Sequence, residues 1–163
     1  MSKMEQSKNE EFRTIRGYEL AEGYENSLTT AMEDYLEMVG RLCADEGYTR
    51  VGKLSDHLQV KPSSASKMVR KLIELGYLKF DSNDNIRLTP VGKEQSGYLL
   101  HRHQVLERFL LLLGIQNPLQ EIEMLEHSIK PYTVKRLERL LQFFEQNSQC
   151  RNCLQHYIFD ETP

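Results

Sequence analysis

The sequence is poor in cysteine. Only Cys43, Cys150 and Cys153 occur in 163 residues, so no disulfide framework is expected. Long hydrophobic runs are also missing. The longest, Phe109–Leu113, falls far short of the ~20 apolar residues that cross a bilayer, and no membrane partner is expected. The amino terminus carries Glu5, Glu10 and Glu11 around no apolar core, so a signal peptide is not expected and the cytoplasm is the expected location. Net positive charge is lacking too. A formal charge of −3 argues against a protein that coats nucleic acid uniformly. Internal repeats and low-complexity tracts are absent, and 163 residues suit one domain or two small ones sharing a core.

What is present is a local concentration of positive charge. Between residues 50 and 79 there are seven basic residues (Arg50, Lys53, Lys61, Lys67, Arg70, Lys71, Lys79). Only Asp56 and Glu74 oppose them, a local net of +5. A basic segment within an acidic chain is the footprint of a nucleic-acid face on a larger body. A chance run on a solvated face is the competing reading.

The periodicity of the same region favours the first reading. Residues 1–27 form a polar arm with a short apolar patch (Phe12, Ile15, Tyr18, Leu20) and no assigned role. A helix is predicted over about 31–46, with Thr30 and Glu33 at capping-box spacing and Gly47 as its stop. Val51–Leu58 reads as a short amphipathic helix. Val60 and Lys61 make a tight turn, and Pro62 opens a second helix to about Leu75 that buries Ala65, Met68, Val69 and Leu72. Two helices joined so closely form a helix-turn-helix, whose second member lies in the major groove. Residues 77–80 and 85–88 alternate around a polar turn and predict a β-hairpin, where a winged helix carries its wing. Helices are then expected over about 90–113, 119–129 and 131–147. The last has an apolar face (Val134, Leu137, Leu140, Leu141, Phe144) larger than a lone helix needs, as at a dimer seam.

The fold class is therefore mainly α: an amino-terminal winged helix-turn-helix with a small β-hairpin wing, followed by an α-helical dimerisation domain. On the reading helix, the small hydroxyls of Ser63, Ser64 and Ser66 permit close approach to base edges, and Lys61, Lys67, Arg70 and Lys71 suit phosphates.

Metal-ligand types occur on three of these helices. Asp34 and Glu37 share a face of the first. His103 lies midway along the long helix, with Glu107 one turn further on. On the predicted 119–129 helix, Glu123, Glu126 and His127 converge while Met124 and Leu125 turn away towards a core. Each group taken alone reads equally well as a solvated face or a core histidine. The tail holds Cys150, Cys153 and His156, three possible zinc donors. A closed zinc site needs four, so Asp160 or a partner chain has to supply the last; reduced surface thiols are the alternative.

The segments MEDYLEMVGRL, VKPSSASKMVRKLIELGYL, RHQVLERFL and EMLEH closely resemble the manganese transport regulators, a branch of the DtxR-type metal-dependent repressors. The resemblance covers about residues 30–147. It implies that Asp34, Glu37, His103, Glu123, Glu126 and His127 form one paired-metal site, with Glu107 in a supporting role. It also implies a homodimer through the carboxy-terminal helices and an operator in double-stranded DNA with two-fold symmetry. The expected divisions are a polar arm (1–27), the winged helix-turn-helix (28–97), a metal-binding and dimerisation domain (98–147) and a tail (148–163).

Related iron and diphtheria-toxin-type regulators carry Met and Cys where this sequence has Asp34 and Glu123. Hard oxygen and imidazole donors without sulfur suit Mn(II). Fe(II), Co(II), Cd(II) and Zn(II) are expected to bind in vitro. The implied function is Mn(II)-activated repression of manganese uptake genes, without enzymatic activity. Competing readings are a winged-helix regulator answering another metal, a small organic ligand or thiol oxidation, and a two-metal hydrolase. The last lacks an evident substrate pocket and nucleophile.

Overall fold

The structure, a computed structural model, describes residues 28–159. The arm over residues 1–27 and the candidate donor Asp160 lie outside the described residues. In order the elements are α1 (Thr30–Glu46), α2 (Val51–His57), α3 (Pro62–Glu74), β1 (Leu78–Phe80), β2 (Ile86–Leu88), α4 (Pro90–Leu112) and α5 (Leu119–Leu125). A 3-10 turn (Glu126–Ser128), α6 (Pro131–Gln146) and α7 (Ser148–Phe159) complete the chain. No helix among the described residues is long and apolar enough to cross a membrane.

α1 starts one residue earlier than its sequence predicts. Thr29 is the cap, its hydroxyl accepting from the Met32 amide at 3.3 Å. This displaces the expected Thr30–Glu33 capping box: Thr30 is already helical, and Glu33 is drawn away to Arg102 and His127. At the other end Gly47 takes a left-handed φ of 75° and donates its amide to the Cys43 carbonyl, the αL stop that favours glycine.

α2 and α3 form the predicted helix-turn-helix. Leu54 on α2 and Ala65, Val69 and Leu72 on α3 are fully buried with Leu36 and Val39 of α1, and Met68 packs against them half-buried. Pro62 opens α3, where its missing amide costs nothing. The hairpin follows, antiparallel with Leu78 opposite Leu88 and Phe80 opposite Ile86. Its turn is organised by Asp81, which accepts from the Arg87 guanidinium at 2.8 Å and from the Asn83 and Asn85 amides. Arg87 above all holds the Asp81 carboxyl well below the usual carboxylate range.

α4 joins the two halves of the molecule. Thr89 caps it, accepting from the Gly92 amide and donating to the Gly76 carbonyl at 2.6 Å. Near its start a Cβ on Gly92 would lie 1.9 Å from the Tyr77 carbonyl oxygen, so only glycine lets the helix leave the wing at this angle. One side of α4 crosses α1 closely: a Cβ added to Gly40 would sit 2.9 Å from the Ser96 Cβ. Leu99 belongs to the amino-terminal core, whereas Val105 and Leu112 pack with Val134 and Leu141 of α6, and Leu106 and Leu110 pack with Ile122 of α5.

Two expectations need correcting here. The helix predicted over 119–129 ends at Leu125, and its last turn tightens into 3-10 geometry. Met124 and Leu125 do not face a core; they are 73% and 41% exposed. The reason is a competition for the inward face. Ile122 is fully buried against α4, and residue i+4 on that face is Glu126, so Met124 is left opposite. Within the expected tail, residues 148–159 form the helix α7, with Leu154 packed on the α4–α6 cluster.

Candidate metal centre and DNA-facing helix

Three elements converge where α1 crosses α4. α1 presents Asp34 and Glu37 from adjacent turns, α4 presents His103, and α5 with its 3-10 extension presents Glu123, Glu126 and His127. All six residues singled out as metal ligands come together, and they do so as two groups. Asp34, Glu123 and His127 form an outer group; Glu37, His103 and Glu126 form an inner, buried one. Within each group the candidate donor atoms lie within 4.8 Å of one another.

Glu126 stands between the groups. Its Oε2 is 3.0 Å from His103 Nδ1, and its Oε1 is 3.7 Å from His127 Nε2. His127 Nε2 in turn is 3.1 Å from Asp34 Oδ1. Glu37 Oε1 is 4.0 Å from His103 Nδ1 and also accepts both Nε and a terminal nitrogen of Arg41, at 3.0 and 2.7 Å. A cleft of about 270 Å³ opens beside these groups, lined by Asp34, Glu37, Met38, His103, Glu123 and Glu126 among others. A water molecule takes about 30 Å³, so the cleft has room for cations and their waters.

The electrostatics of this arrangement are unfavourable without a cation. Burial pushes the Glu126 carboxyl above its ordinary value, and the nearby Glu37 charge adds to that. Burial also raises Asp34; His127 offsets part of the effect, while Glu123, Glu33 and Glu37 add to it. Four carboxylates and two imidazoles with no sulfur among the donors are chemically suited to a hard or borderline divalent ion. The residues therefore fit such an ion on chemistry as well as placement.

Three neighbours of the cluster carry roles that the sequence reading missed. Glu33, assigned to a cap, has its Oε2 2.9 Å from His127 Nδ1 and 3.0 Å from an Arg102 terminal nitrogen. Arg102 is buried, and Arg41 pairs with Glu37. Glu33 lies four residues before Glu37 and so shares a helix face with it, a signal visible in the spacing. Glu107, given a supporting role, is half-buried and joins neither group. Cys150, Cys153 and His156 form no donor cluster among the described residues. They lie along one helix, α7. Cys150 and Cys153 are exposed free thiols; Cys43 is buried, which raises its thiol pKa.

On α3 the side chains of Lys61, Ser63, Ser64, Lys67, Arg70 and Lys71 are exposed, and Ser66 is half-buried. Among the described residues none of these four basic groups forms an ion pair. Ala65, Val69 and Leu72 anchor the opposite face of the same helix, so one helix surface is committed to the core and the other is left cationic.

Two family models match in sequence. The "Iron dependent repressor, N-terminal DNA binding domain" covers residues 27–84, and the "Iron dependent repressor, metal binding and dimerisation domain" covers residues 89–152. The HTH-type transcriptional regulator MntR of Geobacillus thermodenitrificans is 37% identical over 123 residues, which are 74% of this chain and 87% of that protein. The protein of the same name in Bacillus subtilis is 36% identical over 121 residues, 73% of this chain and 85% of that one.

Among solved structures, a manganese-dependent transcriptional repressor in complex with manganese aligns with a TM-score of 0.62 at 26% identity. The alignment covers 69% of this chain and 53% of that one. The manganese regulator SloR aligns at 0.62 and 25%, covering 71% and 55%. ScaR with bound Zn2+ aligns at 0.58 and 26%, covering 69% and 54%. The chain thus spans most of its curated relatives but only about half the length of these solved structures.

Proposed function

We propose, from the premise that this chain belongs to the MntR family of HTH-type transcriptional regulators within the iron-dependent repressors, that it is a Mn(II)-activated repressor of manganese uptake genes. The family is one of DNA-binding regulators, not of enzymes. In this reading the chain works in the cytoplasm as a homodimer through its carboxy-terminal helices and binds a two-fold symmetric operator. Residues 28–97 read DNA, and residues 98–147 bind metal and dimerise.

One observation carries the proposal: six donors from three separate stretches of sequence converge as two adjacent groups, with Glu126 within reach of both imidazoles. Asp34, Glu123 and His127 would hold one ion, and Glu37, His103 and Glu126 a second. When bound, the ions supply the positive charge that the clustered carboxylates lack. The chain's own residues do the rest. Asp34 and Glu37 ride on α1, which shares a core with the reading helix, while Glu123, Glu126 and His127 belong to the other half. Drawing these side chains to common centres ties the reading helix to the dimerising body. It limits the spacings two recognition helices can adopt to those near one DNA turn, roughly 34 Å. The gain is mainly reduced freedom of the reading head. Exposed apolar side chains on α6, Leu140 and Phe143, are suited to the dimer seam.

Mn(II) is the proposed physiological ion because the donors are hard and lack sulfur, although later first-row ions bind such sites more tightly in a tube. Of the similar structures, one holds manganese and ScaR is found with Zn2+ and with Cd2+. The test is an operator gel-shift titration with Mn(II), Fe(II) and Zn(II) in parallel, repeated with EDTA. The expected result is binding that requires metal and is abolished by EDTA. Operator binding that ignores the chelator would overturn the proposal and favour an organic ligand or thiol chemistry.

A further inference from the structure

The geometry points to Glu33 as a positioning residue that, held by Arg102, fixes which ring nitrogen of His127 is free to bind metal. The inference rests on the proposed role of His127 as a ligand and goes beyond it. A neutral imidazole has one N–H and one lone pair, and the partner of one nitrogen decides the function of the other. His127 Nδ1 is 2.9 Å from Glu33 Oε2, and a carboxylate can only accept. With an ion shared between Nε2 and Asp34, the ring's one proton would sit on Nδ1, and Glu33 is the acceptor it meets there. Nε2 is the nitrogen aimed into the outer group, 3.1 Å from Asp34 Oδ1. The ring is thus held in the orientation that turns Nε2 towards an ion beside Asp34 and Glu123 and backs Nδ1 with a carboxylate, the carboxylate–histidine–metal arrangement that raises ligand basicity.

Glu33 is itself fixed rather than free to choose partners. Arg102 donates to the same Oε2 at 3.0 Å, and its side chain is only 4% exposed. Among the described residues the buried Arg102 Nε has no hydrogen-bond partner, so the guanidinium is held in this cramped position at a cost. The chain Arg102–Glu33–His127 also runs through three elements: α4, α1 and the 3-10 turn. Glu33 and His127 come from opposite halves of the protein. His127 is consequently prepared for metal only while α1 is docked against the 3-10 turn, which makes Glu33 part of the coupling between metal affinity and the position of the reading head.

The test uses the full-length protein and Glu33→Gln, which preserves shape and removes the obligate acceptor. Two readouts are needed. One is Mn(II) and Cd(II) affinity by calorimetry. The other is the ring-nitrogen signature of His127 in 15N-histidine-labelled, Cd(II)-loaded protein, assigned by comparison with His127→Ala. Wild type is expected to show a slowly exchanging Nδ1–H and a cadmium-bound Nε2. In Glu33→Gln the affinity is expected to fall about tenfold to hundredfold, with the Nδ1–H signal lost to exchange and the melting curve close to wild type. Unchanged affinity, or an unchanged Nδ1–H, overturns the inference. If Glu33→Gln proves too unstable to titrate, Glu33→Asp, with the carboxylate withdrawn by one methylene, is read by the same two criteria. His127→Ala separates the two levels of the argument. If it keeps wild-type metal affinity, the ligand assignment fails; if it loses metal while Glu33→Gln does not, only the positioning role fails.

Discussion

On α3 and at its cap, Lys61, Lys67, Arg70 and Lys71 stand in solvent and form no ion pair among the described residues. Where α1 crosses α4, by contrast, Glu33, Glu37 and Glu126 are each already engaged by an arginine or an imidazole. The difference lies in what each region needs from outside. The reading helix costs the fold nothing when empty, because water and salt ions solvate its charges, and it gains from a polyanion by releasing those ions. The carboxylate cluster is held partly out of water, and its internal partners are too few. Arg41, Arg102 and two imidazoles face Glu33, Asp34, Glu37, Glu123 and Glu126. A region left short of charge inside a fold responds to a cation with a change in rigidity, whereas an exposed basic face responds to DNA with affinity alone.

The contrast is broken most severely at Glu126. Glu126→Gln keeps the volume but removes the carboxylate that reaches both imidazoles. Metal-stimulated operator binding is expected to disappear, a loss exceeding the roughly tenfold to hundredfold typical of losing a supporting partner. Gel shifts with and without Mn(II), beside a melting curve showing a folded protein, check it; retained stimulation would mean that the two groups do not act together.

Acidity sharpens the contrast with a smaller effect. Glu126 and Asp34 both have folded-state carboxyls raised above their ordinary values. Each must lose its proton to ligate, so metal affinity is expected to decline as pH falls through this raised range, earlier than ordinary carboxylates would dictate. For the metal-free fold the sign is opposite. A raised carboxyl contributes stability that is fully present below its unfolded value and is lost as pH rises through its folded one. In EDTA the protein should therefore melt at lower temperature as pH climbs through that window, and saturating Mn(II) should remove the trend. Metal-free melting that improves with pH across the window would contradict this account of the cluster.

The smallest expected effect is at the reading helix. Lys67→Ala should weaken operator binding by a similar factor for every sequence and lower the slope of log affinity against log salt by about one. Metal affinity measured by calorimetry should not move. A shifted metal titration in this variant would mean that head and sensor are not separate regions.

Much of the fold was legible from local signals because those signals are local in their physics. Pro62 and Gly76 bracket α3, the alternation at 78–80 and 86–88 makes the wing, and Thr89 caps α4, all close to where the sequence puts them. Errors arose where tertiary partners outbid local ones. Glu33 has capping-box spacing from Thr30, but Arg102 and His127, 69 and 94 residues away, take it instead. Met124 and Leu125 look like core residues, but Ile122 claims the inward face of the short helix α5 and leaves them in solvent.

The sequence by itself determined which residue types were available and how they share faces: Asp34 with Glu37, Glu123 with Glu126 and His127, and a cationic stripe opposite Ala65, Val69 and Leu72. Helical spacing dictates that much in any context. Only the tertiary structure decided how these half-sites are sorted. Asp34 joins Glu123 and His127, while its helix neighbour Glu37 joins His103 and Glu126. That division depends on how closely α1 crosses α4 at Gly40 and Ser96, and on which face of α5 turns inward. Periodicity defines a face, but packing between elements distant in sequence decides what that face meets.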